Sequence, residues 1–193
     1  FQSMKASFYA GAALVLFSMT VVADVKETED FSFDVNPGAR VSVENINGDI
    51  QVIGDSVKQV KVVAHKKAGK QEYLDELEIV IEASEDHVRI ETRHPDRSGS
   101  WFSWGNDSNG SVSYELLVPT DVDLDSIDTV NGDVTIEAVD GEVKAGTVNG
   151  TIEVKGAKAD LDLETVNGGI KAVFDELGSG QRVKADTVNG KIA

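Results

Sequence analysis

Apolar and polar residues alternate along most of the chain from residue 24 onward, as at Phe31, Phe33 and Val35. This period of two is typical of β-strands that bury one face. Turn-forming pairs such as Pro37-Gly38 separate the alternating runs. Only residues 73–78 are compatible with a helical turn. The pattern therefore predicts an all-β domain.

The last third of the chain repeats the four residues Thr-Val-Asn-Gly. The Asn residues of the four copies are separated by 18, 18 and 22 positions, and a related Ile-Asn-Gly occurs earlier at residues 46–48. Asn and Gly both tolerate the positive φ of tight corners. We therefore interpret ten residues as structural corners: Asn47, Gly48, Asn131, Gly132, Asn149, Gly150, Asn167, Gly168, Asn189 and Gly190.

Two architectures satisfy this repeat. In a single-stranded β-helix, or β-solenoid, each unit of about 18 residues is one coil, and one face bearing Val134, Ile136 and Ala138 points inward. In a long antiparallel β-meander or sandwich, each Asn-Gly is a hairpin turn. A hairpin needs no recurrent Thr-Val before the turn, whereas stacked coils align identical residues in ladders. The recurrence favours the solenoid.

The N-terminus carries the pattern of export. Residues 1–3 precede Met4 and resemble the scar of a tag-removing protease site, and residues 4–23 read as a signal peptide with Lys5 before an apolar run. We expect cleavage after Ala23 and no integral membrane segment afterwards. The mature part, 24–193, is predicted to be one domain. Residues 24–120 would supply irregular strands and an aromatic loop, and residues 121–193 the repeats.

Composition excludes several function classes. The formal net charge of −16 disfavours binding to nucleic acid or anionic membranes. The chain has no cysteine, which removes disulfides and thiolate chemistry. An exported protein of this kind must be held together by apolar burial and backbone pairing.

Motifs for catalysis or metal binding are missing from the sequence. His65, His87 and His94 lie on separate segments without metal-ligand spacing. The acidic run that begins at Asp121 places Ser126 where a calcium loop requires glycine. We therefore predict no catalytic residue, no metal and no cofactor, and we keep a polysaccharide-acting enzyme as the least favoured alternative.

A polar segment between residues 93 and 110 interrupts the strands and contains Trp101, Phe102 and Trp104. Such aromatics stack on sugar rings or fill pockets of a protein partner. Alternatively, the loop folds back and caps the open end of the core, as solenoids require. Both interpretations remain open at this point.

The Thr-Val-Asn-Gly repeats, the Ile46-Asn47-Gly48 corner and the N-terminal export pattern resemble a bacterial family of exported "putative adhesin" domains of unknown function. The resemblance covers nearly all of the mature chain and implies a β-helix-like fold without general catalytic residues. It implies a non-enzymatic binding or interaction module of the envelope, either periplasmic or on the cell surface. The expected partner is a glycan or a protein surface.

The resemblance also raises an alternative role for the chain. The sequence stops three residues after the last Asn-Gly, where members of the family often continue. The strand edge at Gly190 to Ala193 is therefore expected to be truncated or paired. Under this alternative, the protein is a structural or signalling scaffold that forms homo-oligomers through its C-terminal strand edge.

Overall fold

The computed structural model describes residues 18–21, 24–94, 110–174 and 180–193. The predicted tag scar, most of the predicted signal peptide and the three aromatics of the loop lie outside these residues. Residues 18–21 form a strand that pairs antiparallel with the start of the next one. No helix within the described ranges is long and apolar enough to cross a membrane.

The described chain consists of fifteen strands and one short helix. Their bounds are β1 Ser18–Val21, β2 Val25–Asp34, β3 Arg40–Glu44, β4 Ile50–Asp55, β5 Gln59–Ala68, α1 Gln71–Glu76, β6 Glu78–Ala83, β7 His87–Arg93, β8 Ser111–Pro119, β9 Asp123–Asn131, β10 Val134–Glu137, β11 Val143–Asn149, β12 Ile152–Lys155, β13 Leu161–Asn167, β14 Ile170–Val173 and β15 Val183–Asn189. The all-β prediction is confirmed. The helical turn begins two residues earlier than the sequence indicated.

The strands form two mixed sheets. The eight-stranded sheet has the order β1-β2-β5-β8-β4-β10-β12-β14, and the seven-stranded sheet has the order β15-β13-β11-β9-β3-β7-β6. Antiparallel pairs occur in the N-terminal half, for example between β2 and β5, whereas the repeat strands pair in parallel. Apolar residues of both sheets join in one core cluster, so the arrangement fits the sandwich form of the alternative prediction.

The repeat determines the register of the parallel strands. Val134 lies opposite Ile152 and Ile152 lies opposite Ile170, while Thr147 lies opposite Thr165 in the other sheet. Each of these offsets is 18 residues. Neighbouring strands of the described repeats therefore do not form the antiparallel hairpins that a meander requires at the Asn-Gly corners.

The alternation places the apolar side chains of most described strands between the sheets, as predicted, but Ala138 departs from it. Val134 and Ile136 are fully buried, but Ala138 is exposed and has a φ of 57°. The backbone reverses its alternation at this residue, so that Val139 is buried in its place. The prediction that Ala138 points inward was therefore wrong.

Candidate functional site

The Asn residues of the corners form a ladder of side-chain hydrogen bonds. The Nδ2 atom of each Asn donates to the Oδ1 atom of the Asn in the preceding corner. The distances are 2.8 Å from Asn131 to Asn47, 2.8 Å from Asn149 to Asn131, 3.0 Å from Asn167 to Asn149 and 3.0 Å from Asn189 to Asn167. Each amide keeps a second N–H and a second acceptor lone pair, and the ladder is exposed. The corners thus present a row of polar groups to the surroundings.

Thr and Gly of each corner serve the packing between neighbouring repeats. The hydroxyl of Thr147 donates to the carbonyl oxygen of Gly132 at 3.0 Å, and Thr165 binds Gly150 in the same way at 3.1 Å. A Cβ atom on Gly150 would lie 2.6 Å from the carbonyl carbon of Gly132 and closer still to its oxygen. Glycine is therefore required because two backbones approach closely at this point.

Val is the residue of the motif that has no such packing role. Because the Thr side chain points inward, the next residue of the strand points outward. Five aligned apolar side chains, with exposed fractions between 38 % and 74 %, form what we call the corner stripe: Ile46, Val130, Val148, Val166 and Val188. The stripe runs beside the Asn ladder across both halves of the described chain. Sequence reasoning missed these residues, although the outward position of each Val could have been read from the buried Thr.

A column of carboxylates accompanies the corner stripe. Glu44, Asp128, Glu164 and Asp186 each lie two residues before a member of the stripe, and Gly146 occupies the fifth place of the column. A Cβ atom on Gly146 would clash with the Asp128 carboxylate, which leans over the glycine. Burial raises the pKa of Asp128, while the hydrogen bond from Ser126 opposes the shift and nearby Glu44 and Glu164 reinforce it. Arg89 pairs with Glu44, and Lys184 pairs with Glu164 and Asp186, so four carboxylates stand against two cations beside the stripe.

The aromatic loop begins and ends beside the same corner. In the parallel register of β3 and β7, Glu91 lies opposite Glu44. The last residue of β7, Arg93, therefore lies level with Ile46. At the other end of the loop, the carbonyl oxygen of Gly110 accepts a hydrogen bond of 3.4 Å from Asn47 Nδ2. Trp101, Phe102 and Trp104 themselves lie outside the described residues. Their loop is nevertheless attached at one end of the corner stripe.

The histidines are not brought together. His65 contacts Thr28, His87 contacts Ser42, and His94 lies 3.3 Å from the hydroxyl of Tyr73. Burial lowers the pKa of His94. In the part of the chain that the structure describes, no group of three or more His, Cys, Asp or Glu residues is placed to hold a metal ion.

Comparison with known proteins identifies similar structures. Neither a protein-family model nor a curated protein sequence matches the chain. A protein from Clostridium sporogenes described as a putative cell adhesion protein shares 12 % identity, with 86 % of this chain and 97 % of that chain covered and a TM-score of 0.57. A putative adhesin from Bacteroides fragilis shares 10 % identity over 86 % of this chain and 95 % of its own, with a TM-score of 0.28. The fold of this chain is thus similar to that of the Clostridium protein, and the resemblance to bacterial putative adhesin domains is confirmed.

Proposed function

We propose that the chain is an exported, non-enzymatic binding module of the bacterial envelope that holds a glycan along the corner stripe. The observation that carries this proposal is the alignment of Ile46, Val130, Val148, Val166 and Val188 at one exposed corner. Single exposed apolar residues need no explanation, but a contiguous apolar row with a polar border is typical of a binding surface.

The proposed scaffold for this surface is a β-solenoid in which each unit of 18 residues is one coil. Two observations support it. Successive repeat strands alternate between the two sheets, and each strand pairs in parallel with the strand one repeat later. Such stacking places the equivalent corner residues of neighbouring strands about 4.8 Å apart. A rigid array of this kind matches a partner that also repeats along its length.

The chemistry of the corner favours a glycan as the partner. The remaining amide groups of the Asn ladder suit sugar hydroxyls, and the valine methyl groups suit the apolar faces of sugar rings. Trp101 and Trp104, whose loop is attached at one end of the stripe, would supply stacking faces. The carboxylate column and the net charge of −16 disfavour acidic polymers. The proposed ligand class is therefore a neutral or amino-sugar polysaccharide.

Export is part of the proposal. The predicted signal peptide at residues 4–23 supports it, and so does the fold similarity to the Clostridium sporogenes protein, which is described as a putative cell adhesion protein. The proposal places the module in the periplasm or on the cell surface, where polysaccharides of the envelope are accessible.

Binding to immobilised neutral and amino-sugar polysaccharides tests the proposal. Val148→Asp introduces a charge in the middle of the corner stripe. Val173→Asp is the matched control, because Val173 has a similar exposed fraction, 42 % against 38 %, but lies in the other sheet. We expect Val148→Asp to lower the retained fraction of protein and Val173→Asp to leave it unchanged. Equal retention of both variants would refute binding at the stripe.

The two interpretations of the aromatic loop are separated by the same assay. If the loop binds the glycan, Trp101→Ala and Trp104→Ala reduce retention while the melting temperature stays the same. If the loop is a cap, the melting temperature falls and retention persists. Measuring released reducing sugar in the same samples tests the alternative of a polysaccharide-acting enzyme.

A further inference from the structure

The strand β15 forms an edge of the seven-stranded sheet and exposes the end of the core. Val183 lies in register with Leu161, yet 43 % of Val183 is exposed against 2 % of Leu161. Ile192, which bridges to Ile170 in the other sheet, is also exposed. Apolar positions that are covered in the preceding repeats are thus open to solvent at this end.

The free backbone groups of this edge can be assigned from the pairing with β13. The N–H of Leu161 donates to the carbonyl oxygen of Arg182 at 2.9 Å, so Arg182 turns its backbone groups toward β13. Because these groups alternate in direction along a strand, Val183, Ala185 and Thr187 turn theirs away. None of the strands in the described ranges pairs with this side of β15. Three consecutive pairs of donors and acceptors are therefore available to another strand.

We infer that a second copy of the chain pairs with this edge, β15 against β15, in antiparallel orientation with Ala185 opposite Ala185 of the second copy. A twofold axis through this residue makes the contact self-complementary, as in a closed dimer. Val183 then lies opposite Thr187 of the second copy, and the residues with outward backbone groups form hydrogen-bonded pairs. The apolar end of each core is covered by the other.

Side-chain charges select this register over its neighbours. On the outer face, Lys184 lies opposite Asp186 of the second copy, and the symmetry gives the same pair twice. If the second copy slides by two residues in one direction along β15, Lys184 of one copy lies opposite Lys184 of the other. If it slides by two residues in the opposite direction, Asp186 lies opposite Asp186 of the other copy. Only the register centred on Ala185 pairs opposite charges at both positions.

The same residues predict how salt affects the dimer. Within one copy, Lys184 already contacts Asp162 at 3.1 Å, Glu164 at 2.7 Å and Asp186 at 3.3 Å, so the end surface has an excess of negative charge. Each copy also carries a net charge of −16. Screening reduces this repulsion, whereas backbone pairing and apolar burial depend on it little. The dimer is therefore stronger at moderate than at low ionic strength.

Sedimentation velocity of the full chain across the micromolar range tests the dimer, with Ala185→Pro as the diagnostic variant. Proline removes the N–H of residue 185, which faces away from β13, and edge strands tolerate its fixed φ, so the monomer is expected to keep its pairing; a melting curve of the variant verifies this. We expect the dissociation constant to rise at least about tenfold, since the central pair of hydrogen bonds is lost. A chain that is monomeric at every concentration and salt level, or a dimer unaffected by Ala185→Pro, overturns the inference.

The register is tested by mixing two charge variants. Lys184→Asp and Asp186→Lys each place like charges opposite one another in the homodimer, so each alone should dimerise more weakly. A mixture of the two should form a heterodimer of near-original strength, because opposite charges again face each other. Melting curves verify that both variants fold. If Lys184→Asp loses its fold, weakening by Asp186→Lys still tests the register, and no weakening contradicts it.

Discussion

Replacing Gly150 by alanine tests the close approach of neighbouring repeats. A Cβ atom at this position would lie 2.6 Å from the carbonyl carbon of Gly132, well inside van der Waals contact. The clash involves backbone on both sides, so no side-chain rotation can relieve it. The neighbouring repeats must move apart at a point where the sheets hold them at about 4.8 Å.

The cost follows from the hydrogen bonds at this corner. Separation weakens the bond from Gly132 N–H to Asn149 O at 3.1 Å, the bond from Thr147 to the Gly132 oxygen at 3.0 Å and the bond from Asn149 to Asn131 at 2.8 Å. Three such bonds contribute about 3 kcal/mol at roughly 1 kcal/mol each, and residual strain adds about 1 kcal/mol or more. We expect the free energy of unfolding to fall by about 3–5 kcal/mol, a decrease in melting temperature of roughly 10 °C.

Gly169→Ala is the matched control for this experiment. Its Cβ atom would meet nothing closer than the carbonyl oxygen of Lys191 at 3.4 Å, and Thr151 already carries a side chain at the equivalent position of the preceding repeat. Alanine also lowers the entropy of the unfolded chain, so this variant should be neutral or slightly stabilising. Thermal unfolding followed by circular dichroism compares the two. If both variants melt together, the close approach does not limit stability, and the structural reason given for the glycine is refuted.

Three further predictions concern the core, the corner hydroxyls and the carboxylate column. Leu163→Ala should lower the free energy of unfolding by about 2–5 kcal/mol because the Leu163 side chain is fully buried. Val166→Ala on the exposed corner stripe should change it by less than about 1 kcal/mol. Chemical denaturation measures both values. Thr147→Val keeps the shape of the side chain but leaves the Gly132 carbonyl oxygen without the Thr147 hydroxyl as donor. We expect the free energy of unfolding to fall by about 1–2 kcal/mol. An equal effect of Thr151→Val at an exposed site would contradict this role of the Thr147 hydroxyl. Burial raises the pKa of Asp128 in the folded state, so the stability contributed by this group is present at acid pH and lost as the pH rises through the raised pKa. Asp128→Asn should therefore raise the melting temperature at neutral pH, with a gain that shrinks to nothing at pH values below the unfolded pKa of about 3.9; a gain independent of pH would show that the charge is not the cause.

The positions of the corners could be predicted from the repeats, but the binding surface formed by the aligned, exposed side chains of the corner stripe could not. The ten Asn and Gly residues are recognisable as corners from their spacing, but the expected reason was wrong for most of them. Among the ten, only Gly48 has a positive φ, and the glycines of the later repeats are required because neighbouring backbones approach closely. The outward Val148 received no functional interpretation, because a single exposed valine has no meaning until its neighbours are aligned. Gly146 likewise looks unremarkable in sequence, and only the structure shows the Asp128 carboxylate leaning over it.

The error at Ala138 in the predicted inner face has a local cause. Strict alternation places Ala138 inward, but the residue adopts a φ of 57°, a conformation that is uncommon for residues other than glycine. The next residue, Val139, then enters the core. A period of two contains no information about where such a reversal occurs, because the backbone conformation there depends on the corner as a whole.

By itself, the sequence determined the all-β class, the inward residues of most strands and the spacing of the corners, because each depends on alternation and turn chemistry within a few residues. The direction and partners of strand pairing were decided only by the tertiary structure. Alternation is the same for parallel and antiparallel neighbours, and the recurrence of Thr-Val-Asn-Gly only favoured stacked coils over a meander. The structure shows that Thr147 lies opposite Thr165, 18 residues away. The alignment of the corner stripe and the open edge of β15 follow from that long-range pairing, and so do the proposals that rest on them.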